Sequence, residues 1–587
     1  MARQPQISPI LLRWSDHIPA SDVQDPLGLG LRGSARLGSR LLYCITSVTP
    51  RARYFSFIPW CVFNHQQQEK GKPFALGLWD AIVLREQALT LGCVTHHRGK
   101  PCSGGGLVGS QGAQKWFAKG KKEANFKKMK NFAKNPALSA YFNSLVNLGF
   151  FVSEGELPDS DEESDVQEST FDDIELSNLG LDLARRYDSV VGKLAATKQL
   201  VTKERSSSLA SLAEFGKDGG LCELSNKSSA DRELLRNTFF ALGASKGSSH
   251  RVRRQSLLLI LELCRQFSAD QWVCRETEFR GAIYFGELVS EEDRLNVFVP
   301  EKLVDIATRW RMFYFHHFLG VALEGLFSWL VTQLSTCGLA GSTVESLVAR
   351  LDESSVRKNL AEIFQVNLKG SFGQSNPANL FASIGLSGCH LEVQLSKSLD
   401  EAVRSQSPFA EDSLEDTIRG NQHLYSSTGL ALPLILLATT LARYTRWEVT
   451  NYGKWLASAA SDPYLDLVPP LVTTGLSRRF RNWWECPWKE LASFVLSRYI
   501  VQQHQSMSYE KTSTGNRCLL QVDGTKVVST GDYDEIGMGN PRLRSAIQIL
   551  KDLNLIEDDG DGVTHLTPDG KQILKGGMAK EPENEIS

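Results

Sequence analysis

The sequence predicts a mainly α-helical protein built from several domains. Its 587 residues are more than a single hydrophobic core normally holds. The apolar run Met312–Leu334 contains ionisable residues such as His317 and Glu324, and Leu430–Leu441 is too short to cross a bilayer. Both runs are therefore typical of buried helices, and no membrane-spanning segment is expected. A short helix–turn–strand–helix pattern also occurs twice.

Residues 540–574 contain the clearer copy of that pattern. They begin with Asn540-Pro541, a typical helix start, because proline lacks an N–H that would have no partner in the first turn. Apolar residues follow at helical spacing, then an Asp/Gly-rich turn, a short strand and a second helix that opens at Thr567. This order is that of the second half of a winged helix, and the ending LTPDG (566–570) resembles bacterial winged-helix regulators. The resemblance implies a module that binds DNA or docks a partner.

The earlier copy covers residues 135–183. Leu138 and Leu148 repeat the ten-residue step from Leu543 to Leu553, and SNLG (177–180) echoes TPDG (567–570). Between its halves, eleven acidic residues and no basic one occur from 154 to 175, which predicts a disordered extension of the wing. Two matching modules indicate a repeat. The predicted fold is thus a multi-domain helical scaffold with two winged-helix (α+β) modules.

Shifts in composition divide the chain into five segments. The predicted segments are an N-terminal module (1–75), a lysine-rich stretch with the first winged helix and its acidic insert (76–205), a central helical domain (206–400), a second helical segment (401–485) and the C-terminal winged helix (486–580). The formal net charge is only −2, so the overall balance does not indicate a nucleic-acid-binding protein. The placement of the charges is more informative than their sum.

Residues 115–134, here called the lysine tract, carry eight lysines and one acidic residue, Glu123. Lysines beside a winged helix can neutralise phosphates without reading sequence, whereas a solvated helix face is the alternative interpretation. The C-terminal winged helix adds basic residues on its candidate recognition helix. The predicted DNA-binding residues are Lys115, Lys119, Lys121, Lys122, Lys127, Lys128, Arg542, Arg544 and Lys551.

Two arginine–aromatic clusters are further candidates for nucleic-acid contact. Arg51 and Arg53 lie in TPRARYFSFIPW (49–60), and Arg478, Arg479 and Arg481 lie in RRFRNWW (478–484). Arginines can bind phosphates while aromatic rings stack on bases. For the first cluster, a helix with an aromatic core face and arginines that are solvated or paired is the favoured alternative. The motif T-x-R-A-R-Y-F-x-F-x-P-W resembles one in uncharacterised bacterial proteins often found in anti-phage defence loci, and this resemblance implies a component of a defence complex without assigning any chemistry.

Cysteine usage predicts a reduced, cytoplasmic protein, because the eleven cysteines are scattered and no secretion signal is recognisable. The most metal-like group is Cys93, His96, His97 and Cys102, which are zinc-ligand types at workable spacings. Because there is no second Cys-x2-Cys pair, a four-ligand site requires all four of these side chains to point inward. The sequence therefore predicts no cofactor and keeps zinc as the alternative.

The sequence shows no Walker lysine loop, HExxH, GxSxG or paired CxxC motif. We expect a non-enzymatic DNA-binding or scaffold component whose partners are DNA and other subunits of a bacterial complex. The alternative is a metal-dependent nuclease or effector whose site combines scattered carboxylates and histidines. A cluster of acidic side chains with a nearby lysine would favour that alternative.

Overall fold

The computed structural model describes residues 26–29, 35–69, 71–152, 174–225, 229–242, 248–289, 293–383, 407–420, 423–449, 484–510, 518–533, 536 and 542–578. Most of these residues are helical, and the strands are short, so the prediction of a mainly α-helical protein is confirmed. The acidic insert at 153–173 and the second arginine–aromatic cluster, with Arg478, Arg479 and Arg481, lie outside the described residues.

The helices of the first half differ widely in length, from the 6 residues of α7 to the 22 residues of α10. They are α1 (Ala35–Leu41), α2 (Tyr54–Gln68), α3 (Leu78–His96), α4 (Ser110–Phe117), α5 (Ala137–Asn147), α6 (Asn178–Val191), α7 (Ala195–Leu200), α8 (Leu209–Gly219), α9 (Arg232–Phe239), α10 (Ser248–Ala269) and α11 (Glu276–Tyr284). A 3₁₀ helix, Leu221–Ser225, follows α8 directly.

The second half continues with helices of very different lengths. They are α12 (Val304–Cys337), α13 (Val344–Val348), α14 (Ser354–Phe364), α15 (Pro377–Ser383), α16 (Glu411–Arg419), α17 (Thr428–Val449), α18 (Trp488–Val495), α19 (Gln503–Glu510), α20 (Arg542–Asp552) and α21 (Pro568–Met578). A π-helical stretch, Leu496–Gln502, joins α18 to α19. Further 3₁₀ helices are Glu301–Leu303, Gly338–Ala340 and Ala349–Asp352.

The described strands form four antiparallel pairs. These are β1 (Glu123–Asn125) with β2 (Ser206–Ser208), β3 (Glu287–Val289) with β4 (Arg294–Asn296), β5 (Leu520–Asp523) with β6 (Lys526–Ser529), and β7 (Ile556–Asp558) with β8 (Thr564–Leu566). Three of the pairs join neighbouring segments of the chain. The pair β1–β2 is different, because it ties the lysine tract to a segment about eighty residues later.

The longest helix, α12, lies at the centre of the hydrophobic core. It packs along α17 and also contacts α10, α11 and α16. The buried residues of α12 lie on all faces of the helix, as expected for a helix enclosed by other helices. Among the described residues, the helical stretch Glu301–Cys337 is long and apolar enough to cross a membrane, but 83% of its most apolar window is buried inside the protein.

Two units of the chain have a similar construction, in which two helices flank an antiparallel pairing. The N-terminal unit consists of α5, an antiparallel bridge between Phe151 and Leu176, and α6. The C-terminal unit consists of α20, the β7–β8 hairpin and α21. In each unit the first helix is followed by one residue in the left-handed region, Gly149 with φ 82° or Asn554 with φ 56°. Both residue types are common at such helix ends.

The second helix of each unit also begins in the same way. Ser177 Oγ accepts a hydrogen bond from the N–H of Gly180 at 3.0 Å, and Thr567 Oγ1 accepts one from Gly570 at 3.0 Å. These are N-cap contacts that satisfy an otherwise unpaired helical donor. A Cβ on either glycine would lie 2.0 Å from the backbone carbonyl oxygen opposite it. The sequence echo SNLG/TPDG therefore corresponds to one cap-and-glycine arrangement that occurs twice.

The two units are far apart in sequence but adjacent in space. Arg51 and Ala52 lie between them. Tyr141, on α5, accepts a hydrogen bond from the backbone N–H of Arg51 at 3.0 Å. Asp552, the last residue of α20, accepts hydrogen bonds from Arg51 Nε at 2.9 Å and from the Ala52 N–H at 3.0 Å. The arginine–aromatic segment at 49–60 is thus the joint between the two units.

Candidate nucleic-acid interface

The lysine tract runs from the last turn of α4, through β1, to the start of α5. All of its lysines are exposed: Lys115, Lys119, Lys121, Lys122, Lys127, Lys128, Lys130 and Lys134. Among the described residues, the ammonium group of Lys121 lies 6.0 Å from the centre of the Trp116 ring. The tract therefore presents positive charge to solvent without neutralising partners among the described residues.

The backbone of the tract is held from the inside by its aromatic residues. Trp116 and Phe126 are buried, and Phe126 donates its backbone N–H to the carbonyl of Arg205 at 3.1 Å. Phe132 packs against Gly109 and Gly112, where an added Cβ would approach its atoms to 2.7 and 3.0 Å. Aromatic residues thus point inward and lysines outward, which fixes a dense patch of positive charge on a supported surface.

Glu86 anchors the far end of the tract. Its carboxyl group accepts the backbone N–H of Ala137, the first residue of α5, at 2.7 Å, and Gln87 beside it binds the side chain of Asn131 at 2.7 Å. Burial raises the pKa of Glu86 to about 8, against the opposing effect of the hydrogen bond from Ala137. The helix α3 therefore holds the tract through a carboxyl group that is largely protonated at neutral pH.

This burial predicts a pH-dependent contribution to stability. The pKa of Glu86 is higher in the folded than in the unfolded state, so its contribution is fully present below about pH 4.5 and is lost as the pH rises through about 8. Glu86→Gln removes the ionisation, and we expect the variant to be more stable than the native chain by at least about 2 kcal/mol at pH 8. Urea unfolding at pH 5 and pH 8 measures the difference. Glu123→Gln, at an exposed position, is the control, and equal pH profiles for both variants would contradict the account.

Arg51 and Arg53 are not available to nucleic acid. Arg51 is 0% exposed and, besides its pair with Asp552, donates to the backbone carbonyls of Ser103 and Gly105 at 2.9 and 2.7 Å. Arg53 is also buried and donates to the carbonyl of Gly220 at 2.7 Å. The prediction that these arginines contact phosphates is therefore corrected: they are paired within the core, as the alternative interpretation held.

The helix α20 is less accessible than its sequence suggests. Arg542 is only 2% exposed and donates to the carbonyl of Ile45 at 3.2 Å, so it is removed from the predicted DNA-binding residues. Arg544 is exposed, whereas Lys551 is half-buried and pairs with Asp558. Arg544 and Lys551 line a cleft of about 790 Å³ with the glycine-rich loop at 104–106. Most of this helix packs inside the protein and cannot enter a DNA groove.

The predicted Cys/His group is rearranged in the structure. His97 and Cys102 come together with Cys222, and their ligand atoms all lie within 4.8 Å of one another. Cys93, which is buried, is not one of the residues whose ligand atoms share this spacing. His96 instead faces Glu223, with Nε2 3.8 Å from a carboxylate oxygen. Sequence spacing could not identify Cys222, because it lies 120 residues beyond Cys102.

Within the described residues, this His/Cys group is the one set of potential ligands close enough to share an ion. Its members are one histidine and two cysteines. No family model, curated protein or solved structure matches the chain.

Proposed function

We propose that this protein is a non-enzymatic DNA-binding scaffold whose lysine tract binds the phosphate backbone. The observation that supports the proposal most strongly is the tract itself: eight exposed lysines lie on a backbone held by buried aromatic residues, with one acidic residue among them. Unpaired surface charges of one sign attract a polyanion from solution. Because ammonium groups contact phosphates rather than base edges, the binding is independent of sequence.

We propose further that the two units, α5 with α6 and α20 with α21, are winged-helix modules with different roles. The helix α5 follows the lysine tract directly, and its outer residues Ser139, Ala140, Phe142 and Asn143 are half-exposed. This helix is in the better position to approach a groove while the tract contacts the backbone. The equivalent helix α20 is buried against residues 45–52 and serves as an internal joint.

Other subunits of a cytoplasmic bacterial defence complex are the second class of partner that we propose. The support is the motif at 49–60, which resembles one in proteins often encoded in such loci. In this chain the arginines of the motif are buried at the joint between the two units, so the motif itself is not a docking surface. Affinity purification from a native host tests this proposal. A monodisperse protein with no partner would count against it.

A salt titration tests the proposed DNA binding. Fluorescence anisotropy of the full chain with two labelled duplexes of unrelated sequence is measured across ionic strength. If about four to six lysines contact phosphates, the affinity should fall about 100- to 1,000-fold between 50 and 200 mM salt. Equal affinity for both duplexes is expected. No binding at the lowest salt concentration, or binding that is insensitive to salt, would contradict the proposal.

The same complexes distinguish the nuclease alternative. Incubation of the protein–DNA mixture with Mg²⁺ or Mn²⁺ should leave the duplex intact if the protein is a scaffold. Cleavage that depends on the added ion would favour a metal-dependent nuclease. A gel of the end-labelled duplex after incubation provides the readout.

A further inference from the structure

Three potential metal ligands, His97, Cys102 and Cys222, meet at the end of α3, and Cys93 lies one turn before His97. Cys93 and His97 are four residues apart at the C-terminal end of this helix, a spacing that places both on one face. Cys102 follows in the loop that leads to α4. Cys222 lies in the 3₁₀ helix Leu221–Ser225, which follows α8. This group is separate from the lysine tract and plays no part in the proposed DNA binding.

Close packing of α3 and α8 brings these segments together. A Cβ at Gly92 would lie 2.6 Å from the carbonyl oxygen of Leu212, and one at Gly216 would lie 2.2 Å from that of Gly92. The two helix backbones are therefore in direct contact. At the end of α8, a Cβ at Gly220 would lie 3.3 Å from Cys93 Sγ, so the chain reaches Cys222 beside the last turn of α3.

The distances between ligand atoms fit a single small ion. His97 Nε2 lies 3.1 Å from Cys222 Sγ, and Cys222 Sγ lies 3.6 Å from Cys102 Sγ. Cys93 Sγ is not among the atoms that lie within 4.8 Å of one another, although Cys93 is one helical turn before His97. Ligand atoms at the corners of a tetrahedral zinc site with bonds of about 2.0–2.3 Å are roughly 3.3–3.8 Å apart. His97, Cys102 and Cys222 already lie at spacings that suit one ion, whereas the Cys93 thiol must move closer to complete the tetrahedron.

The surroundings of the group also resemble those of a metal centre. Cys93 and Cys102 are buried, while His97 and Cys222 are partly exposed, which leaves a route for an ion to enter. Arg51 donates to the carbonyls of Ser103 and Gly105, so the loop next to Cys102 is held in place from outside the group. Contacts of this kind orient the ligands of protein metal sites.

We propose that Cys93, His97, Cys102 and Cys222 form a structural Cys₃His zinc site. Thiolate and imidazole ligands in a tetrahedral arrangement favour zinc, and four protein ligands leave no open position for catalysis. The ion links α3, the loop at 102–106 and the segment after α8. It thereby stabilises the glycine-rich loop that borders the cleft beside α20.

Metal analysis of the full chain tests this site. Protein purified without chelator should contain about one zinc per chain, measured by inductively coupled plasma mass spectrometry. Cys222→Ser and His97→Ala should lose most of the metal. The matched controls are His96→Ala, the neighbouring histidine that faces Glu223, and Cys337→Ser, a cysteine outside the group, and both should retain it. Retention of zinc by Cys222→Ser would overturn the assignment.

Cobalt substitution keeps the test valid if those variants do not fold. The native chain reconstituted with Co²⁺ should show the visible absorption of tetrahedral cobalt and the charge-transfer bands of cobalt–thiolate bonds. Absence of both features in the fully reduced protein would overturn the proposal.

Discussion

Replacing Arg51 with alanine is expected to lower the free energy of unfolding by about 3–5 kcal/mol, the usual cost of breaking a buried ion pair by removing one partner. The Arg51 side chain is 0% exposed and lies 2.9 Å from the carboxylate of Asp552. Burial already raises the pKa of Asp552, against the opposing effect of Arg51. The substitution leaves that carboxyl group without its charged partner and leaves the carbonyls of Ser103 and Gly105 without their donors.

Urea unfolding followed by circular dichroism measures this effect. The matched control is Arg186→Ala, because Arg186 pairs with Asp182 on the exposed surface of α6. That substitution should cost less than about 1 kcal/mol. The double variant Arg51→Met with Asp552→Leu removes both charges and should recover part of the loss. Equal costs for Arg51→Ala and Arg186→Ala would show that residues 51–52 do not join the two units.

Neutralising half of the lysine tract is expected to weaken DNA binding about 100-fold at moderate salt without unfolding the protein. In this variant, glutamine replaces four lysines of the tract: Lys119, Lys121, Lys122 and Lys127. These side chains are exposed, so their removal leaves the buried aromatic residues in place. The salt slope should also fall by about one for each lysine that contacts a phosphate. The loss should be the same for unrelated duplexes.

A second quadruple variant distinguishes the effect of charge within the tract from the effect of the protein's net charge. In this variant, glutamine replaces four exposed lysines outside the tract: Lys358, Lys369, Lys571 and Lys575. The net charge therefore changes by the same amount as in the first variant. We expect its affinity for DNA to remain within about threefold of the native value, because distant surface charges are largely screened at moderate salt. Equal losses for the two variants would indicate attraction by the whole protein rather than by the tract.

Local patterns in the sequence predicted those features that depend on neighbouring residues. The echo between 177–180 and 567–570 specifies a capping hydroxyl and a glycine three positions later, and both helices begin as that pattern requires. The lysines of the tract are exposed because the aromatic residues among them fill the interior. Helix ends and solvated faces are decided within a few residues, so a single sequence contains the necessary information.

Contacts between distant parts of the chain could not be predicted in this way. Arg51 and Asp552 are 501 residues apart, and nothing in either segment indicates that one neutralises the other. The basic pattern of α20 suggests a surface helix, yet Arg542 is buried because α20 packs against residues 45–52. Cys222 joins His97 and Cys102 only because α3 and α8 touch at glycines. Each of these features depends on tertiary packing rather than on local preference.

Chemical labelling of lysines in the presence and absence of DNA tests the central claim most directly. The full chain is treated with an amine-reactive reagent, alone and with a saturating duplex at low salt, and labelling of each lysine is quantified by mass spectrometry. If the lysine tract binds the phosphate backbone, the lysines between 115 and 134 should be protected, while Lys358 and Lys369 should react equally in both samples. Lysines of the tract that react as fast in the complex as in the free protein would contradict the account.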